Sequence, residues 1–184
     1  VRSFNVGVTE SPAMAKALLV NGTLDMGGAD RPNFNEGWGR VHLTNVVDSG
    51  ALTVYKDQEL VFDNTGESQV IAIGVPDPTR PLRITLVWSD APGAVGANPA
   101  LVNNLDLTVE TNGNTYKGNV FSGGWSTTGG TADIRNNVEN VFVQSPGGDA
   151  VITISATAIV GDGVYYSGDT TDQILYHQHH ASWI

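Results

Sequence analysis

From about residue 48 onward, apolar and polar positions alternate with a period of two. In "LRITLVW", Ile84, Leu86 and Trp88 share one face; in "NLDLTV", Leu105, Leu107 and Val109 face one side, with Asp106 and Thr108 on the other. The segments "ALTVYKD", "ELVFD", "SQVIAIGV", "LRITLVWSD", "NLDLTVE", "NTYKG", "VENVFVQ", "AVITISATA", "GVYYS" and "DQILYH" read as strands. "NTGE", "PDPTRP", "TNGN", "SPGGD" and "VGDG" separate them as turns. Asn112-Gly113 suits the left-handed dihedrals of a tight hairpin. Two loops are long, "SDAPGAVGANPALVN" and "FSGGWSTTGGTADIRNN", and long loops in compact domains are usually functional or mobile. Many short strands at this spacing predict a mainly β fold, a sandwich or jelly roll.

One stretch has the longer period of a helix. In "SPAMAKALLVNGTLDMGG", Ser11 suits the N-cap and Pro12 the first turn. Met14, Ala15, Leu18 and Leu19 form the expected apolar face. Either Asn21-Gly22 or Gly27-Gly28 stops it.

Composition sharpens this picture at a few points. Charged residues are only 15% of the 184, beside 22 glycines, which favours turns and short strands over long surface helices. The net charge of −10 opposes nucleic-acid and anionic-membrane partners. No apolar run reaches the roughly 18 residues of a membrane helix. The absence of cysteine excludes disulfides and thiolate zinc sites.

The chemistry-bearing residues exclude as much as they suggest. No Gly-x-Ser-x-Gly elbow occurs, and three of the four histidines (His177, His179, His180) crowd the last eight residues. His42 is expected to pack or to face solvent. "HQHH" is either a transition-metal ligand set or a frayed tail, and the tail is the expectation. The window Asp25 to Glu36 fails as an EF-hand, because Gly27, Ala29 and Asp30 occupy its third, fifth and sixth positions. A distributed set is better suited to calcium: Asp90, then Asn103, Asn104 and Asp106, then Asp133, Asn136, Asn137 and Glu139. The same residues also serve as turn formers and surface charges, so spacing leaves both readings open. Asn21-Gly22-Thr23 matches a glycosylation sequon, but it adjoins a helix that should pack. Trp88, Tyr116, Trp125, Tyr165 and Tyr166 offer either a sugar-stacking platform or packing, with Trp88 expected in the core.

The stretches "SPAMAKALLVNGTLDMGG" and "NEGWGRVHL" together resemble the end of the catalytic domain in subtilisin-like serine proteases (subtilases, peptidase family S8). "ITLVWSDAPG", "LVNNLDLTV", "NGNTYKGNVF" and "RNNVENVFV" resemble the C-terminal β-barrel or jelly-roll domain of the calcium-binding alkaline protease subgroup. "TDQILYHQHHASWI" departs from the closing strand usual there. The resemblance implies two parts: residues 1–47, a remnant of the catalytic domain, and 48–184, a β-sandwich. It implies calcium near "NLDL" and "ADIRNN", held first by Asp106 and Asp133 and further by Asn104 and Glu139. Relatives often carry an acid where Val120 stands. The family's catalytic Asp, His and Ser precede the first residue, so no position here inherits a catalytic role.

The expectation is therefore a non-catalytic C-terminal β-domain of a secreted subtilisin-like endopeptidase. Its partners would be the catalytic domain, in the same or a nicked chain, and protein substrate. A carbohydrate- or cell-surface-binding module using Trp125, Tyr165 and Tyr166 is the rival reading.

Overall fold

The computed structural model describes residues 11–47 and 52–161, and the backbone of 173–180. The predicted helix is α1, Pro12–Asn21. Ser11 caps it as expected: its Oγ accepts from Met14 N at 3.0 Å, and Pro12 fills a first-turn position whose missing N–H costs nothing. The helix stops at Asn21-Gly22, where Gly22 N returns to Leu18 O at 3.1 Å. Its buried face differs from the predicted one. Ala13, Met14, Ala17 and Asn21 point inward, while Ala15 is exposed and Leu19 is 41% exposed. Ala13 and Ala17 let the helix sit close to Val87 and Val138. A short helix, α2 (Leu43–Val47), follows; its Val46 lies so near Gly22 that a Cβ there would meet it at 2.7 Å.

Among the described residues nine strands follow: β1 (Thr53–Val61), β2 (Ser68–Ile73), β3 (Leu82–Trp88), β4 (Asn104–Thr111), β5 (Asn114–Ser122), β6 (Trp125–Thr128), β7 (Val138–Val143), β8 (Ala150–Ala158) and β9 (Gln173–His180). They form two open antiparallel sheets, ordered β1-β9-β3-β7 and β2-β8-β4-β5-β6. With β6 set aside as an added edge strand, the chain crosses between the sheets in the order of a jelly roll. The inward faces are those the alternation predicts: Ile84, Leu86 and Trp88 meet Leu105, Leu107 and Val109, with Phe62, Val141, Ile152 and Ile154. Trp88 is 2% exposed, and its Nε1 donates to Asn103 O at 3.0 Å. Asn112 and Gly113 both take positive φ, 47° and 72°, as the β4–β5 hairpin requires.

Three expectations change. "ALTVYKD" and "ELVFD" merge into β1, whose pairing is irregular between Lys56 and Leu60. Trp125 opens strand β6 rather than sitting in a loop, and is half-buried. The tail is no frayed end, because the backbone of β9 pairs with β1 on one side and β3 on the other. A strand with both neighbours satisfied has all its ladder groups used, which a terminal position in sequence does not reveal. "GVYYS", with Tyr165 and Tyr166, lies outside the described residues.

The N-terminal segment lies against the sandwich. Arg83 reaches out of β3 and its Nη1 donates to Asn21 O at 2.9 Å and Thr23 O at 3.0 Å, the carbonyls left free as α1 ends. The ring of Phe142 lies under two guanidinium groups, Arg83 at 4.9 Å and Arg31 at 5.2 Å. Trp38, from the Gly-Trp-Gly turn, meets Phe121 and Phe142 edge-on at 5.2 and 6.0 Å. A hydrogen-bonded line runs inward from α1. Asn21 Nδ2 donates to Thr85 Oγ1 at 2.9 Å, and Thr85 Oγ1 donates to Asn140 Oδ1 at 2.6 Å. Asn140 N then donates to Asn119 Oδ1 at 2.9 Å, and Asn119 Nδ2 to Asp133 Oδ2 at 2.6 Å.

Candidate cation site

β4 and β5 pair only from the hairpin as far as Thr108 and Lys117, and then part. Gly118 stands at the split, and Asn119 beyond it has φ 60°. Glu139, on β7 opposite Leu86, points from one sheet toward the other and fills the gap. Leu107 N, which has no β5 partner, donates to its Oε2 at 2.5 Å. A Cβ at Gly118 would overlap that carboxylate, so glycine makes the room.

Glu139 is fully buried and its Oε1 has no hydrogen-bond partner. Burial pushes its carboxyl up to about 9, and the charges of Asp106 and Asp133 add to the rise against the Leu107 N–H. Asp106 sits on the outer face of β4, half-buried; its Oδ1 accepts from Asn104 Nδ2 at 3.0 Å. Burial raises its pKa first, with Asp133 adding, against bonds from Asn104 and Thr157 and the charge of Lys117. Asn104 Oδ1 is also buried without a partner. Asp133 anchors its loop: Oδ2 accepts from Asn119 and Asn136, each at 2.6 Å, and Oδ1 from Arg135 N at 2.8 Å.

Asp106, Asp133 and Glu139 thus lie near one another, since the charges of Asp106 and Asp133 act on Glu139 and that of Asp133 on Asp106, and Asn104 is bonded to Asp106. Their oxygens are the hard donors that calcium takes, and two of them are orphaned acceptors. The other members of the distributed set have structural work. Asp90 accepts from Ala91 N, Val102 N and Asn103 N, while Asn103 Oδ1 accepts from Val160 N and Gly161 N. Asn137 links Trp88 O to Lys16.

Among the described residues, the carboxylates that come within 4.8 Å of one another are instead Asp25, Asp30 and Glu36. EF-hand spacing could not reveal this. The loop folds back through an Asn33–Gly37 bridge with Gly37 at φ 59°, which brings its ends together. Asn33 Nδ2 bonds Asp30 and Glu36, and the Arg31 Nε lies 3.7 Å from Asp25. A cation is therefore already beside this group.

Trp125 and Tyr116 are taken up by packing. Arg31 stands over the Trp125 ring at 5.9 Å, and Tyr116 packs on the core. Asn21 is fully buried, so the sequon is closed in the folded chain. His42 is half-buried and its Nδ1 has no partner. His177, His179 and His180 belong to β9. No helix among the described residues is long and apolar enough to cross a membrane.

No family model matches the chain. The serine protease/ABC transporter B family protein tagA of Dictyostelium discoideum is 29% identical over 175 residues, covering 89% of this chain. The chain spans 10% of that protein's length.

Proposed function

We propose that the chain is a non-catalytic β-sandwich domain of a secreted subtilisin-like serine protease, stabilised by calcium bound through Glu139, Asp106, Asp133 and Asn104. Similarity to a protein named as a serine protease supports the protease association. The observation that carries the ion is the buried Glu139 carboxyl, with an unpartnered oxygen and two acidic neighbours. A buried carboxylate is costly unless a partner meets it, and a divalent cation is such a partner. The ion's role is to hold β4, β5, β7 and the Asp133 loop together where the ladder opens. It stabilises the native chain by mass action, since an unfolded chain has no assembled ligand set. Millimolar extracellular calcium suits a site built partly from neutral amides.

Thermal unfolding in calcium and in EGTA tests this reading. Calcium is expected to raise the midpoint, and Glu139→Gln to weaken calcium affinity at least about tenfold and so reduce that rise. A midpoint indifferent to calcium removes the site from consideration.

A further inference from the structure

The other end of β4 carries a different arrangement. Thr111 closes the strand, 4% exposed, and continues the inward face of Leu105, Leu107 and Val109. Three backbone carbonyl oxygens converge on its Oγ1: Pro146 at 2.9 Å, Gly148 at 3.2 Å and Asp149 at 3.0 Å. A hydroxyl has one proton to donate. It can satisfy one carbonyl fully, and the other two then aim their negative ends at its lone pairs. The Pro146 bond is buried and the Gly148 and Asp149 bonds are part-buried, so four crowded oxygens form an electron-rich cluster around one hydroxyl proton, open on one side.

The loop is also held from outside the cluster. Gly147, at φ 75°, donates its N–H to Pro78 O at 3.0 Å, and Val75 N donates to Asp149 Oδ1 at 3.0 Å. The convergence therefore does not depend on the threonine proton alone.

We propose that Thr111 Oγ1 and the carbonyls of Pro146, Gly148 and Asp149 bind a monovalent alkali cation, sodium or potassium. Rings of neutral carbonyl oxygens replace the hydration shell of such ions, whereas divalent ions draw on carboxylates. Thr111 also lines an open cleft of about 310 Å³ with Glu110 and Asp149, which gives the ion a path and a negative approach. Water from the cleft completes the shell. Four residues of extended strand lie between Asp106 and Thr111, so this site is independent of the calcium reading.

The test is thermal unfolding of the full chain with EGTA present, in sodium, potassium and choline chloride at one ionic strength. Sodium or potassium is expected to raise the midpoint saturably over choline, by roughly 3–6 °C at ten times the half-saturating concentration. Thr111→Val abolishes the difference, while Thr111→Ser and Glu139→Gln retain it. Equal midpoints in the three salts overturn the proposal, and so does a response that survives Thr111→Val or vanishes in Glu139→Gln. If Thr111→Val fails to fold, sodium and thallium(I) NMR linewidths on the unaltered protein decide. Broadening relieved by excess alkali ion but not by choline supports the site, and unbroadened lines for both ions overturn it.

Discussion

Glu139 shows how one residue's surroundings decide its charge. Its carboxyl rises from 4.5 in water to about 9 in the fold, so the folded chain holds a proton that the unfolded chain has lost over that interval. The contribution of Glu139 to stability in EGTA is therefore fully present below about pH 4.5 and falls as pH rises toward 9. Asp106, also raised, pulls in the same direction. Denaturant unfolding at stepped pH should show the decline, and Glu139→Gln, which carries no titrating proton, should flatten it. A wild-type profile already flat in EGTA would contradict the assignment. The sequence places Glu139 near the site but ranks it behind Asp106 and Asp133. Its rank rises only because Gly118 leaves room and the β4–β5 ladder opens at Leu107, and neither is written in an alternation pattern.

At the scale of elements, helix ends were more legible than helix faces. Ser11 and Pro12 announce the start through local chemistry, whereas the buried side depends on the sheet that receives it. Asn21 turns inward because Thr85 meets it, and this carries Ala17 in and Leu19 out. Enlarging Ala17 to Leu should cost about 1–3 kcal/mol by overpacking, while Leu19→Ala should stay within about 0.5 kcal/mol. Urea unfolding of the two variants checks this; equal losses would restore the predicted face. Strands were legible from their alternation and turns, as in β3, β4 and β8. Their partners were not, since β9 enters the middle of its sheet from the far end of the chain.

For the molecule as a whole, the class of fold followed from patterning, but the seating of the N-terminal segment did not. Arg31, Arg83, Trp38 and Phe142 are far apart in sequence and meet only through the topology. The same topology lays the line from Asn21 through Thr85, Asn140 and Asn119 to Asp133, joining α1 to the candidate calcium end. Such a line has a reciprocal consequence. If an ion at Asp133 lowers the equilibrium population of opened α1, then a partner that binds only the closed α1 must in turn tighten the ion. Hydrogen exchange of the α1 amides, with and without calcium, should show added protection that Thr85→Val reduces; protection confined to the Asp133 loop would mean the two ends answer separately. The sandwich would then act as a gauge, its grip on the metal reporting whether the helix beside it is in place.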